Sequence, residues 1–139
     1  MSIIGHGVAQ GGTYTNNKAG IAAAYATLKL LQTKPILKSI EKLGKRLMDG
    51  LKEIFEDNDI PAVFSGYPAM FSFAFGADKV TCQRDWAESD QAMYEALIAK
   101  AIDRGVMPDN DAREPWFLCY SHSDADIDET LNVYAEIVK

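Results

Sequence analysis

The sequence predicts an α+β fold, in which a small antiparallel sheet is covered by helices on one face. Two patterns indicate this class. Apolar residues recur at helical spacing in residues 17–57 and again near the C-terminus, whereas residues 70–75 alternate in the manner of a strand. At 139 residues the chain has the size of a single domain, which typically buries roughly two-thirds of its unfolded surface.

The composition narrows the class of protein, its location and its partners. Hydrophobic residues make up 47% and charged residues 24%, which indicates neither a disordered chain nor a membrane protein. The first ten residues lack the pattern of a signal peptide, so a cytoplasmic location is expected. The net charge of −6 argues against a nucleic-acid partner and favours small molecules or protein. Cys82 and Cys119 share no motif and suit a reducing compartment, so no disulfide is expected.

The first half of the chain predicts an irregular start and two helices. Residues 1–16 are glycine-rich and irregular, and a helix follows at 17–33. Pro35 ends that helix, and a stronger helix is predicted at 36–57. The apolar positions are Ile21, Tyr25, Leu28 and Leu31 in the first helix and Ile36, Ile40, Leu43, Leu47, Leu51 and Ile54 in the second.

The middle of the chain predicts a hairpin and a third helix. A short strand at 62–64, a turn at 65–68 and a strand at 70–75 form the hairpin. The helix spans 86–104 and closes at Gly105 in a C-cap position. The residues expected to face the core are Phe71, Phe73 and Phe75 in the strand and Met93, Leu97, Ile98, Ala101 and Ile102 in the helix.

The last part of the chain predicts a strand followed by a helix. Residues 106–107 are compatible with a short strand, and residues 116–120 form an apolar strand. Ser123 then caps the last helix, with Asp124 and Asp126 in its first turn, where the helix dipole favours negative charge. The buried stripe of this helix is expected to be Ile127, Leu131, Tyr134 and Val138.

The most informative stretch is residues 11–24, which read GGTYTNNKAGIAAA. Two glycines let backbone amides approach a ligand, and the following helix start offers unpaired N–H groups. With the hydroxyls of residues 13–15, such a turn suits a phosphate or another anion. The same pattern also fits a turn that only caps a helix, with Asn16 or Asn17 as the cap.

Other polar residues carry weaker signals. His6 and His122 are the only histidines, and their spacing does not indicate a zinc site. Three acidic residues crowd one loop, namely Asp109, Asp111 and Glu114. That loop lacks the glycine and ordered ligand spacing of a calcium site, so a solvated loop is expected. Cys119 lies in an apolar stretch and is expected in the core rather than as a nucleophile.

Two stretches resemble class-III pyridoxal-phosphate-dependent aminotransferases, particularly the glutamate-1-semialdehyde 2,1-aminomutase branch. Residues 11–31 are similar to that family's G-T-x-x-G-N-P-x-A-x-A-A segment, and residues 117–138 are similar to the branch's ending, with (S/A)-H-(T/S)-x-x-D-I-D before a final helix. Both lie late in the family's polypeptide. The resemblance implies the C-terminal small domain of a fold-type-I enzyme at 58–139, preceded by helices at 17–57 that link the large and small domains.

The resemblance also implies a cofactor and a partner. The complete enzyme would use pyridoxal 5′-phosphate (PLP) as a homodimer and act on a small amino or keto acid. In the family, the G-T pair reaches across the dimer interface to the phosphate of the other subunit's cofactor. That pair matches Gly12 and Thr13, which are the candidate cofactor-binding residues, while no catalytic or metal-binding residue is expected. Thr15 and Asn17 align with neighbouring positions that shape the turn.

The chain also departs from the family. Asn16 replaces a usual glycine and Lys18 a usual proline, so the turn's backbone is expected to differ. The Schiff-base lysine lies upstream in the family, so Lys18 is expected to be solvated and the isolated chain inactive. The stretch FLCYSH lacks the arginine that holds the substrate carboxylate in many transaminases, as the aminomutase branch also tends to do.

Three functions are consistent with these residues. The first is the C-terminal part of an aminomutase-like PLP enzyme. The second is a non-catalytic dimerisation or small-molecule-binding module derived from the same fold. The third is an unrelated small enzyme with its site in the acidic loop at 109–114.

Overall fold

The computed structural model describes residues 11–139, in two compact units that divide between Ile36 and Leu37. The predicted irregular segment at 1–10 and His6 lie outside the described residues. The elements in chain order are α1 (Lys18–Thr33), α2 (Ile36–Asp57), β1 (Ala62–Tyr67), β2 (Met70–Phe75), α3 (Gln83–Ala87), α4 (Gln91–Asp103), β3 (Trp116–Phe117) and α5 (Asp124–Ile137). Helices and one small antiparallel sheet confirm the predicted α+β class.

The first unit contains α1, whose limits follow from its end residues. Asn17 is the N-cap, and its side-chain oxygen accepts a hydrogen bond from the N–H of Gly20 at 3.0 Å. Lys34 is extended, as expected for a residue before proline. All residues of α1 are exposed, including the predicted apolar positions.

The second unit begins with α2, the most amphipathic helix. The predicted helix is confirmed at both ends. Its buried residues are Gly44, Leu47, Leu51 and Phe55. Leu43 and Ile54 are only partly buried. The sequence pattern therefore found the correct face but missed Gly44 and Phe55, which lie at its centre.

The sheet has the order β1-β2-β3, with both pairs antiparallel. The predicted turn at 65–68 is wrong, because β1 continues to Tyr67 and pairs there with Met70. The chain reverses at Pro68 and Ala69 instead. Gly66 lies within the strand at a φ of +99°, a conformation that favours glycine.

An aromatic cluster forms the centre of the second unit. Phe71, Phe73 and Phe75 are buried on one side of β2, as predicted. Phe73 contacts the largest set of rings, at centroid distances of 5.3 to 5.5 Å; these are Phe55, Phe64, Phe75, Tyr94 and Trp116. These five side chains come from α2, α4 and all three strands, so the ring of Phe73 connects the helices of the unit to its sheet.

The predicted helix at 86–104 is divided into α3 and α4. Asp90 separates them. Its carboxylate accepts a hydrogen bond from the N–H of Met93, which caps α4, and its own N–H donates to the carbonyl of Phe75 at 2.8 Å. A strand contact therefore fixes the helix start. Gly105, at a φ of +88°, follows the C-cap as predicted.

The core positions of α4 were predicted only in part. Met93 and Ile102 are 37% and 41% exposed, whereas Tyr94 is 2% exposed and was not predicted to be buried. Leu97, Ile98 and Ala101 are buried as predicted. The centre of the buried face is therefore as predicted, and the prediction is wrong at its edges, where Tyr94 is buried and Met93 and Ile102 are not.

The strand predicted at 116–120 is much shorter in the structure. β3 contains only Trp116 and Phe117, and residues 106–107 form no strand. Cys119 is exposed, so its predicted core position is wrong. Beyond Leu118, whose N–H donates to the carbonyl of Ala69, the chain turns into the last helix and no longer follows β2.

The start of α5 is built as predicted. The Ser123 side chain and the Asp126 side chain each accept from the other's backbone N–H, which forms a capping box. Hydrogen bonds from Ser123 lower the pKa of Asp126. Ile127 and Tyr134 are buried, Leu131 and Val138 partly so, and the sequence pattern missed the buried Ile137.

Candidate functional site

The turn at residues 11–17, here called the glycine turn, leads directly into α1. Two backbone hydrogen bonds shape it, from the N–H of Thr15 to the carbonyl of Gly12 at 3.0 Å and from the N–H of Asn17 to the carbonyl of Tyr14 at 3.1 Å. A Cβ at Gly12 would lie 3.3 Å from the hydroxyl of Thr15. Glycine therefore lets this hydroxyl fold closely against the turn.

Asn16 has a φ of +67°, in the left-handed region. Glycine adopts this conformation freely, and asparagine tolerates it better than most residues. Asn16 thus adopts a backbone conformation that glycine would adopt more easily. Lys18 is the first residue of α1 and is exposed, as predicted for a solvated side chain.

The glycine turn presents hydrogen-bond donors at an exposed surface. Gly12 and Thr13 are both exposed. Within residues 11–139, their backbone N–H groups donate to no other backbone carbonyl. The N-cap of α1, Asn17, follows Thr13 by four residues, and the positive end of the helix dipole lies there. Backbone N–H groups, a hydroxyl and a helix start are the kinds of group that bind a phosphate in proteins.

A second candidate site lies in the other unit. A cleft of about 470 Å³, here called the α5 cleft, is lined by residues 105–109 and 114–118 and by the start of α5. Its apolar residues include Val106, Trp116 and Ile127, and acidic side chains also line it. The predicted acidic loop contributes two of these, Asp109 and Glu114.

The third acidic residue of that loop is already paired. Arg113 donates hydrogen bonds from Nε and from a terminal nitrogen to the carboxylate of Asp111, which lowers the pKa of Asp111 to about 2. The Arg113 guanidinium also lies over the ring of Trp86, 5.6 Å from its centroid. Among residues 11–139, no group of three His, Cys, Asp or Glu side chains could hold a metal ion.

A buried tyrosine holds the wall of the α5 cleft. The Tyr94 hydroxyl donates to the carbonyl of Asp109 and accepts from the indole N–H of Trp116, both at 3.1 Å. Burial raises the pKa of Tyr94, and the hydrogen bond from Trp116 partly opposes this effect. No local sequence pattern indicates this link, because Asp109 and Trp116 lie 15 and 22 positions after Tyr94.

Two buried tyrosines allow a matched test of this link. Tyr94→Phe is expected to lower the free energy of unfolding by about 1–3 kcal/mol, because it leaves a buried donor and a carbonyl unpaired. Tyr134→Phe is expected to cost nothing or to stabilise, because the Tyr134 hydroxyl is buried without a partner among residues 11–139. Urea unfolding of both variants measures the difference, and equal losses would contradict the assigned role of Tyr94.

His122 and the two cysteines complete the candidates. The Nδ1 atom of His122 accepts a hydrogen bond from the N–H of Cys119 at 2.9 Å, in agreement with the predicted local role of this histidine. Cys82 and Cys119 are both free and exposed, as expected for unpaired cysteines. Within the part of the chain that the structure describes, no helix is long and apolar enough to cross a bilayer.

Comparisons with known proteins point to one group of enzymes. No protein-family model matches the chain. The chain is 33% identical over 130 residues to glutamate-1-semialdehyde 2,1-aminomutase of Desulfitobacterium hafniense (strain DSM 10664 / DCB-2), a match that covers 94% of this chain and 30% of that one. The enzyme of the same name from Clostridium kluyveri is 35% identical over 126 residues, 89% of this chain and 30% of its own. The chain thus spans about 30% of these relatives.

Solved structures share the fold. An omega-transaminase from Sphaerobacter thermophilus superposes with a TM-score of 0.73 and 17% identity, over 94% of this chain and 30% of that chain. The FumI protein of Sphingopyxis sp. MTA144, solved in its PLP internal aldimine form, gives a TM-score of 0.70 and 22% identity, over 84% of this chain and 25% of that chain. Sequence similarity over nearly the whole chain and the shared fold identify it as a relative of the C-terminal part of class-III PLP-dependent aminotransferases, of the glutamate-1-semialdehyde 2,1-aminomutase-like kind.

Proposed function

We propose that the chain is the C-terminal part of a PLP-dependent aminotransferase or aminomutase that transfers an amino group on a small amino or keto acid. The observation that carries this proposal is the 33% identity to an aminomutase across 94% of the chain. PLP, when bound, supplies the electron sink for such chemistry. Because the chain spans 30% of its relative, the activity belongs to the complete enzyme.

In that enzyme, the role of this chain is to bind the phosphate of the cofactor. Gly12 and Thr13 donate hydrogen bonds to the phosphate of the cofactor that the other subunit of a homodimer holds. Their exposure supports this role, and so do their backbone N–H groups, which donate to no other backbone carbonyl within residues 11–139. A phosphate dianion strengthens each of these hydrogen bonds, since charge-assisted bonds are roughly twice as strong as neutral ones.

Residues 17–57 and 58–139 serve as the linking helices and the small domain of the enzyme. The isolated chain is inactive, because the Schiff-base lysine of the family belongs to a segment upstream of the matching region. Lys18 does not replace it, since this residue begins a helix and its side chain is exposed. A cytoplasmic location is consistent with two exposed free cysteines, which persist in reducing compartments.

A substitution at Thr13 tests the proposed site. In the complete enzyme, Thr13→Ala is expected to weaken PLP retention about tenfold, because one charge-assisted hydrogen bond to the phosphate is lost. The measurement is the PLP content after gel filtration against cofactor-free buffer, read from its absorbance.

Thr15→Ala is the matched control, since it removes a hydroxyl from the same turn at a position that is not expected to contact the cofactor. Unchanged retention in Thr13→Ala, or an equal loss in Thr15→Ala, would contradict the assignment. Unfolding of both variants in urea should match that of the parent protein, because the glycine turn lies outside the core.

A further inference from the structure

The apolar face of α1 is fully exposed in this chain. Ile21, Tyr25, Leu28 and Leu31, here called the α1 stripe, recur at helical spacing on one side of the helix and are 39% to 67% exposed. No residue of α1 is buried. Isolated helices of this length are marginal in water, because most helices gain their stability from packing of an apolar face. An unpacked stripe of this kind marks an interaction surface.

The two units of the chain carry opposite net charge. Residues 1–36 hold three lysines and no acidic residue, whereas residues 37–139 hold 11 basic and 20 acidic residues, a net charge of −9. Lys18 and Lys29 lie on the same border of the α1 stripe, because eleven residues make about three turns of a helix. Neither lysine forms a salt bridge within residues 11–139. The α1 stripe therefore matches a partner surface that is apolar and negatively charged.

The acidic second unit has an exposed apolar surface of its own. Tyr67 pairs with Met70, and Met70 pairs with Phe117, so these three side chains, here called the sheet row, lie side by side across all three strands. They are 47% to 65% exposed. Tyrosine, methionine and phenylalanine are enriched where proteins bind each other. The sheet row thus combines an apolar surface with a unit of negative charge.

We propose that the α1 stripe of one copy of this chain packs on the sheet row of a second copy. The exchange is reciprocal, so two copies form a closed dimer with two contacts of the same kind. Removal of both apolar surfaces from water drives the association. Opposite charge favours this contact over a pairing of two α1 helices, in which the lysines would repel each other. The contact involves no PLP and does not depend on the proposed function.

Sedimentation velocity of the 139-residue chain tests the dimer over about a hundredfold range of concentration. A monomer–dimer equilibrium that stops at two copies is expected. The contact surfaces are small, so the chain is expected to be monomeric at the low micromolar concentrations used for unfolding. A chain that stays monomeric over the whole range, or that forms larger species without limit, would overturn the proposal.

Two apolar substitutions with matched controls locate the contact. Leu28→Gln and Met70→Gln are each expected to weaken the dimer at least about tenfold, because each removes apolar area from both contacts. The controls are Leu30→Gln, on the other side of α1, and Met93→Gln on α4, outside the sheet. All four side chains are exposed, so near-ultraviolet circular dichroism should be unchanged. A loss in Leu28→Gln but not in Met70→Gln, or equal losses in the controls, would contradict the assigned surfaces.

A charge reversal tests why this pairing is chosen. Lys18→Glu with Lys29→Glu is expected to weaken the dimer about tenfold, because attraction to the acidic unit becomes repulsion. Lys79→Glu with Lys139→Glu is the control, since it changes the net charge equally at exposed positions outside α1. This control is expected to alter the dimer by about twofold or less. Equal weakening in both double variants would show that only the net charge matters and would overturn the charge-selected contact.

Discussion

Gly44→Ala is expected to destabilise the second unit by roughly 3 kcal/mol, at the upper end of the usual cost of overpacking. A Cβ at Gly44 would lie 2.0 Å from the carbonyl oxygen of Pro68 and 2.5 Å from its carbonyl carbon. These are backbone atoms of the β1–β2 turn, so no side-chain rotation relieves the clash. The helix and the hairpin must separate. Urea unfolding measures the loss.

Gly50 provides a control in the same helix. The three atoms nearest to a Cβ there all belong to the flexible side chain of Leu131, its two methyl groups at 2.7 and 2.8 Å and its Cγ at 3.3 Å. Alanine also favours the helix by about 1 kcal/mol over glycine. Gly50→Ala is therefore expected to change stability far less than Gly44→Ala. Similar losses in both variants would refute the specific fit between Gly44 and Pro68.

Phe73→Ala is expected to lower the free energy of unfolding by about 3–5 kcal/mol, the usual cost of deleting a buried phenylalanine ring. Phe73 is 1% exposed and contacts rings from α2, α4 and the other strands. Removing it leaves a cavity between elements that cannot all move inward together. Because domains are stable by only about 5–15 kcal/mol, much of the margin is lost.

The exposed Phe117 is the matched control for this variant. It lies in the sheet but is 65% exposed, so Phe117→Ala is expected to change stability by about 0.5 kcal/mol or less. Thermal or urea unfolding followed by near-ultraviolet circular dichroism compares the two. A loss at Phe117 as large as that at Phe73 would mean that the aromatic cluster is not the centre of the core.

Features encoded within a few neighbouring residues were predictable from the sequence. Ser123 caps α5 as expected, and Asn17, one of the two candidates predicted, caps α1; each side chain accepts from an N–H three residues further on. The alternation of β2 and the periodicity of α2 follow from the same local rule. The glycine turn could be proposed as a phosphate site because its donors are adjacent in the chain.

Features that join distant parts of the chain were not predictable. β3 ends after Phe117, at the point where the chain reaches the turn of the β1–β2 hairpin. The next residue, Leu118, donates its N–H to the carbonyl of Ala69 in that turn. The break between α3 and α4 depends on the carbonyl of Phe75, fifteen positions before Asp90. In both cases the two residues of the contact are far apart in sequence, and the sequence does not show that they lie close together in the folded chain.

Local sequence patterns were enough to predict the α+β class, the positions of the main helices, their caps and the residues that resemble the aminotransferase family. Each of these depends on spacing along the chain and on the φ and ψ preferences of single residues. The fit of Gly44 to Pro68, the link from Tyr94 to Trp116 and the acidic α5 cleft became visible only in the folded chain. These depend on atoms that only packing brings within a few ångströms, and no periodicity in the sequence encodes that distance.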